Sequence, residues 1–335
     1  MSVHHEPLPI VLMSASGAST AELAARLTAT GVINVVAQVG DVESATRAYV
    51  RHSARVVLLV ADSARGPALV TALLRALRAP VVVLARTSQA AMDSMAAGAL
   101  EAMPEQTAAD QIAESLRLMS SVRVVQRHPP AVSATRPSMR VRAAVEESLL
   151  VAIGASTGGP RALSELLGAL PIDFCAAVVI AQHMPDDYDT PFASWLSTNT
   201  KLTVKVAQDG EQARPGTVYI AQGGRDLVVA QGRQLMNLLP AGKGPVPSAD
   251  RLLESASRLV GVALFGAILT GMGRDGAAGL LAMRKAGAVT VVQDARSCVV
   301  ASMPETALLQ RAADDSLPPF AIAERLVAWA ESVRG

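Results

Sequence analysis

Three residues in the C-terminal half of the chain have the types needed to activate a hydroxyl. Ser156 stands in Gly154-Ala155-Ser156-Thr157-Gly158-Gly159, His183 in Gln182-His183-Met184-Pro185, and Asp275 in Thr270-Gly271-Met272-Gly273-Arg274-Asp275-Gly276. Each follows the end of a short apolar run. A serine is a poor nucleophile until a base takes its proton, and an imidazole base needs an acid to fix its tautomer. Taken singly, each residue has a plainer role: turn chemistry for the serine, a structural position for the histidine, a helix cap for the aspartate before glycine. Their coincidence favours catalysis. Of the five histidines (His4, His5, His52, His128 and His183) only His183 lies beyond residue 148, so imidazole chemistry in this half must use it.

The main rival for the glycine-rich turn is phosphate binding, because a helix N-terminus attracts anions. A Walker loop needs Lys followed by Ser or Thr after its second glycine. Gly158-Gly159-Pro160-Arg161 has neither, and the dinucleotide spacing G-x-G-x-x-G is also missing. Gly154-Ala155-Ser156-Thr157-Gly158 does match the G-x-S-x-G elbow of α/β-hydrolases. That family orders its triad serine, acid, histidine, whereas the order here is Ser156, His183, Asp275. The pattern points to the same physical solution on a different fold.

Such residues must be carried by converging loops, and the apolar pattern supplies them. Leu149–Ile153 reads as a buried strand feeding a helix opened by Pro160. Val178–Ala181, Val204–Ala207, Val218–Ala221, Ala267–Leu269 and Val289–Val292 read as further strands. Leu227–Val229 and Leu235–Leu238 pair as a hairpin around Gln231-Gly232. Ala249–Leu259, Ala277–Lys285 and a segment from Pro304 to Leu309 read as helices. Continuous apolar strands alternating with helices predict a parallel sheet, and the strand ends of such a sheet line one crevice.

The first third repeats the alternation. Strands are expected at Ile10–Met13, Ile33–Gln38, Val56–Val60, Val81–Leu84 and Ala99–Met103. Helices are expected at Ala21–Thr28, Val42–Val50, Ala68–Leu77, Gln89–Ala97 and Ala108–Met119. Order and spacing resemble the receiver domain of two-component signalling proteins. A receiver carries two acids after its first strand, a phospho-accepting Asp at the end of its third and a Lys near the end of its fifth. Here Met13-Ser14-Ala15-Ser16 has no acid, the third strand ends at Val60 with Asp62 two positions on, and Ala102–Gln106 has no Lys. Too few hard oxygen ligands remain for Mg²⁺. The domain is read as a pseudo-receiver with no phospho-acceptor, Asp62 being displaced from the required place.

Residues 120–145 carry Pro129, Pro130, Pro137 and five arginines with no acid, and read as a tether. The expected layout is a receiver-like domain over 1–119, a linker over 120–147 and a catalytic domain over 148–335. Half the residues are apolar and net charge is +1, so two cores can be buried and no nucleic-acid surface is indicated; 3% aromatic residues argue against base stacking. Cys175 and Cys298 read as reduced thiols of a cytoplasmic protein. The N-terminus lacks a signal-peptide pattern, and no apolar run reaches transmembrane length.

Several motifs in one order, GASTGG, AQHMP, DGEQARPGTVYIA (209–221), ILTGMGRDGAAGL (268–280) and SCVVASMPETA (297–307), resemble the chemotaxis protein-glutamate methylesterase family, CheB, from residue 149 to about 312. The resemblance implies an α/β protein with two doubly wound parallel-sheet domains. It implies Ser156, His183 and Asp275 as a catalytic triad supported by Thr157 and Met272, the Met272 backbone N–H being the oxyanion donor. It implies hydrolysis of glutamate γ-methyl esters, with glutamine deamidation as the same chemistry, and no cofactor or metal. Implied partners are methyl-accepting chemotaxis receptors, with a chemosensory histidine kinase left open, no nucleic acid, and membrane contact only through receptors. A non-catalytic regulatory module that binds receptor or kinase is the alternative. One departure stands out: family members usually carry a basic segment before P-S-x-D, but here Gly242-Lys243-Gly244-Pro245-Val246 precedes Pro247-Ser248-Ala249-Asp250, leaving Lys243 and Arg251 as the cations for docking.

Overall fold

Runs of Val, Ile and Leu bounded by glycine and polar turns form parallel strands in two separate sheets of a computed structural model. It describes residues 6–14, 20–61, 65–77, 79–120, 149–240, 242 and 244–334. The chain divides into two compact units. The expected tether, apart from Ser120, lies outside the described residues, as do Asp62 and Lys243.

In the first unit the elements alternate: β1 Leu8–Ser14, α1 Ala21–Ala29, β2 Ile33–Val39, α2 Val42–Arg51, β3 Val56–Ala61, α3 Gly66–Leu77, β4 Val81–Ala85, α4 Ser88–Ala96, β5 Glu101–Pro104 and α5 Ala109–Met119. The strands order as β2-β1-β3-β4-β5, and every pair is parallel. This is one of the two common doubly wound orders. Helix starts follow local chemistry: Asp41 accepts from Ser44 N at 2.8 Å and Thr87 from Ala90 N at 3.2 Å, each satisfying an otherwise orphaned donor.

The second unit runs β6 Leu149–Ala155, α6 Gly159–Ala169, β7 Ala177–Gln182, α7 Asp189–Ser197, β8 Thr203–Val206, β9 Thr217–Ile220, β10 Asp226–Ala230 and β11 Gln234–Leu238. It continues with α8 Ala249–Ala256, β12 Ala263–Ile268, α9 Ala277–Lys285, β13 Val289–Gln293, α10 Ser302–Leu309, β14 Asp315–Leu317 and α11 Pro319–Arg334. Seven strands form one sheet ordered β14-β13-β12-β6-β7-β9-β8, parallel throughout. β10 and β11 make the expected antiparallel hairpin. Every residue of β6 and β7 is buried, as helices on both faces of a parallel sheet require. On α11, Ile322 and Leu326 are buried, and the Trp329 ring packs on Phe265 of β12 with centroids 5.5 Å apart.

The order places the site. β6 lies between β7 and β12, and the chain winds outward from it in both directions. The gap between β6 and β12 is therefore the topological switch point, where open α/β sheets bind ligands beyond their strand ends. Ser156 follows β6, His183 follows β7 and the Thr270–Asp275 loop follows β12. The helix expected to reach Leu259 ends at Ala256. Its last turn tightens instead, with Arg258 N bonding Ser255 O and Leu259 N bonding Ala256 O.

Candidate active site

Backbone hydrogen bonds tie the three loops together. His183 N donates to Ala155 O at 2.9 Å, and Ser156 N donates to Thr270 O at 3.0 Å. Gln182, fully buried, donates through Nε2 to Ser156 O at 2.8 Å and to His183 O at 3.0 Å. Thr270 Oγ1 donates to Thr157 O at 2.9 Å and accepts from Val299 N and Val300 N. The serine turn, the β12 loop and the segment before α10 are thereby one hydrogen-bonded unit.

Two glycines allow this closeness. A Cβ on Gly271 would stand 2.7 Å from Ser156 Cβ and 2.2 Å from Met303 Sδ. A Cβ on Gly159 would fall 1.9 Å from Gln182 Oε1. Any side chain at either place would push the serine turn away from its neighbours.

His183 Nε2 lies 2.8 Å from Asp275 Oδ2, with the imidazole 14% and the carboxylate 9% exposed. An ionised carboxylate only accepts, so Nε2 carries the proton and Nδ1 keeps its lone pair for a base's work. Asp275 is also held by α8: Oδ2 accepts from Ala249 N at 2.7 Å, and Oδ1 from Asp250 N at 3.0 Å and Ser248 Oγ at 3.1 Å. Burial alone would raise its pKa, but the His183 hydrogen bond and the two backbone amides outweigh burial and hold the carboxyl below its ordinary 3.8. Asp275 stays ionised at neutral pH.

Of the two links that a serine relay requires, the imidazole–carboxylate one is made. Ser156 Oγ has no hydrogen bond to the ring among the described residues, although the backbone of His183 is hydrogen-bonded to Ala155, the residue before the serine. Thr157 takes part through its carbonyl rather than its hydroxyl. Met272 is 42% exposed at the crevice. Its flanking groups are braced by Ser302, whose Oγ accepts from Gly273 N at 3.0 Å and donates to Gly271 O at 3.1 Å. Cys298 is no competing nucleophile: burial, with Asp294 nearby, pushes its thiol up to about 12. Cys175 is a buried thiol outside any disulfide. Among the described residues no cluster of His, Cys, Asp or Glu could hold a metal ion.

In the sequence, Pro247-Ser248-Ala249-Asp250 serves only to locate the position of the family's basic segment. The structure makes it the seat of the Asp275 carboxylate. Arg251 is not a free docking cation either: it pairs with buried Asp226 and donates to Leu239 O at 3.2 Å. Asp226 in turn accepts from Ser248 N at 2.6 Å. The available signal was a serine before a helical run, an N-cap pattern; Ser248 Oγ does accept from Arg251 N. Gln182 and Thr270 stand inside the AQHMP and ILTGMGRDGAAGL motifs, but their types alone carry no signal that they are buried and bridge the loops.

The fold and site together define an α/β protein whose all-parallel sheet carries at its switch point the residue types nucleophilic hydrolysis uses: a serine turn, an imidazole and a buried carboxylate. The family model for CheB methylesterase matches residues 151–326. Protein-glutamate methylesterase/protein-glutamine glutaminase 1 of Cupriavidus pinatubonensis is 35% identical over 98% of this chain and 99% of its own length. Protein-glutamate methylesterase FrzG of Myxococcus xanthus is 39% identical over 75% of this chain and 78% of its own. The crystal structure of the Thermotoga maritima CheB methylesterase catalytic domain superposes with a TM-score of 0.51 at 36% identity, covering 54% of this chain and 97% of that one. The chain belongs to the CheB methylesterase family.

Proposed function

We propose that this protein hydrolyses glutamate γ-methyl esters on methyl-accepting chemotaxis receptors, and deamidates receptor glutamine by the same route. The observation that carries the reading is the His183–Asp275 hydrogen bond, made beside the Ser156 turn at the switch point of the sheet. Relatives named protein-glutamate methylesterase along nearly the whole chain support the substrate class.

In this mechanism Ser156 Oγ moves into reach of His183 Nδ1 as substrate enters; catalytic hydrogen bonds often tighten only in the complex. The imidazole takes the serine proton, and Oγ attacks the ester carbonyl. Asp275 stabilises the imidazolium without itself taking the proton. The tetrahedral oxyanion is received by the Met272 backbone N–H, braced through Ser302, and one such donor is typically worth about 3 kcal/mol. The imidazolium gives its proton to the departing oxygen, methanol leaves, and water cleaves the acyl-enzyme by the same steps in reverse roles. With glutamine the leaving group is ammonia. Thr157 supports the turn through its carbonyl.

The same reading assigns residues 148–335 to catalysis, 1–119 to a receiver-like domain without a phospho-acceptor, and 120–147 to the linker, in a cytoplasmic enzyme. The test is methanol release from methylated receptor membranes. Wild type should release methanol and Ser156→Ala should lose at least about 10³-fold in kcat. A fully active Ser156→Ala variant would end this mechanism. Wild-type protein that binds receptor but releases nothing would favour the regulatory alternative.

A further inference from the structure

Asp275 and Asp250 exchange places at two facing helix starts. Asp275 precedes α9, yet its carboxylate accepts the Ala249 and Asp250 amides in the first turn of α8. Asp250 belongs to that first turn, yet its Oδ1 accepts Gly279 N, in the first turn of α9, at 2.7 Å. Each helix start leaves backbone N–H groups without intrahelical partners and carries a partial positive charge. Each is satisfied by the carboxylate of the other. Neither helix has a side-chain cap that closes this exchange alone: Ser248 caps α8 at Arg251 N, and α9 starts from Gly276 with no side-chain cap.

We propose that Asp250 is a positioning residue for the reaction, locking the start of α9 and with it the Thr270–Gly276 loop that presents Asp275 and Met272. The proposal rests on the esterase reading above. Asp250 touches no reacting atom in that mechanism; it acts through Asp275. The opposite side of Asp275 is secured separately, because Asp226 holds Ser248 N and Ser248 Oγ holds Asp275 Oδ1. The Asp250 carboxylate supplies the tie from the α8 side: it holds Gly279 N in the first turn of α9, and the Gly276 N–H at the α9 cap also favours its charge. Space at Gly279 is equally committed: a Cβ there would stand 2.7 Å from Asp250 O.

A second property separates this role from ordinary helix capping. Burial raises the Asp250 pKa above 3.8; the Gly279 N–H opposes the rise, and the carboxylates of Asp275 and Glu254 add to it. A carboxyl whose folded pKa is raised costs stability once ionised, so at neutral pH the folded protein carries a charge it would be more stable without. Asparagine keeps an acceptor for Gly279 N–H and removes that charge.

The experiment compares full-length wild type, Ser156→Ala, Asp250→Ala and Asp250→Asn in steady-state methanol release and in thermal melting at pH 7. Asp250→Ala should lose roughly 10–100-fold in kcat with KM little changed, as expected when a catalytic group is displaced without loss of substrate contacts. Asp250→Asn should recover most of that kcat and melt above wild type. A folded Asp250→Ala enzyme with wild-type kcat would overturn the proposal. So would an Asp250→Asn variant as slow as alanine, and this arm stands even if the alanine variant fails to fold. The Ser156→Ala control keeps the two readings apart: its full activity would sink the esterase mechanism, whereas its inactivity beside an unimpaired Asp250→Ala would sink the positioning role alone.

Discussion

The residue most constrained in the site is Asp275. Four donors converge on two oxygens, one of them the imidazole. An amide cannot replace this carboxylate, because one of its two ends would present N–H to donors. Asp275→Asn should therefore leave the His183 tautomer unfixed and lose on the order of 10³–10⁴ in kcat, by analogy with other serine triads. A loss below about tenfold in methanol release would contradict the triad assignment. The same donors set an acid limb of stability. Because the folded pKa lies below 3.8, Asp275 contributes stability that is present above that pH and lost as the pH falls through the folded value. Melting temperatures of wild type and Asp275→Asn, measured down to pH 3, should converge toward the acid end. Parallel curves would show that the carboxylate is not stabilised in the fold.

At the scale of elements, the Ser156 turn depends on what it packs against. Gln182 closes β7, spans the two loops with its amide and lies over Gly159. Gly159→Ala would drive a methyl group into that amide. Overpacking of this kind typically costs about 1–3 kcal/mol, and here the relief available is rotation of Gln182 away from Ser156 O. The variant should melt lower and lose kcat together; equal melting and turnover to wild type would show that the turn tolerates the shift. This dependence also marks the limit of what a linear reading gives. Strands rich in Val and Ile, and helices such as α9 with a clear start and stop, were legible because one segment carries the whole signal. The loop-borne Ser156, His183 and Asp275 were legible because few residue types can do that chemistry. The cradle for Asp275 was not, because α8 reaches it only through pairing across 25 residues of chain or more. Helix α7, nine residues like α9 and with Phe192, Ala193 and Leu196 as its buried face, has no glycine at either end to mark a start or stop, and the three-residue edge strand β14 was too short for a periodic signal. Helix α11, by contrast, was long enough and was overlooked, its buried Ile322, Leu326 and Trp329 being spaced along one face.

At the scale of the whole molecule, the question is whether the first unit transmits a phosphorylation signal. Its order β2-β1-β3-β4-β5 puts a switch point between β1 and β3, and the register pairs Ser14 with Val60, so their C-terminal ends lie side by side. A phospho-accepting site there needs carboxylates to hold Mg²⁺, a hard ion that takes near-octahedral oxygen ligands, and a cation to meet the phosphoryl group. The sequence supplies Met13-Ser14 at the end of β1 and Ala15-Ser16 next in the chain, and Glu101-Ala102-Met103-Pro104-Glu105-Gln106 in and after β5, with neither the acid pair nor the lysine. Asp62 follows the last residue of β3, Ala61, and lies outside the described residues. One carboxylate without its partners binds Mg²⁺ poorly and leaves the phosphoryl charge uncompensated. Acetyl phosphate with Mg²⁺ should therefore leave methanol release by the full-length protein unchanged. A several-fold rise that disappears in Asp62→Asn would show instead that Asp62 accepts phosphate from a displaced position, and that the receiver-like unit still works by the usual route.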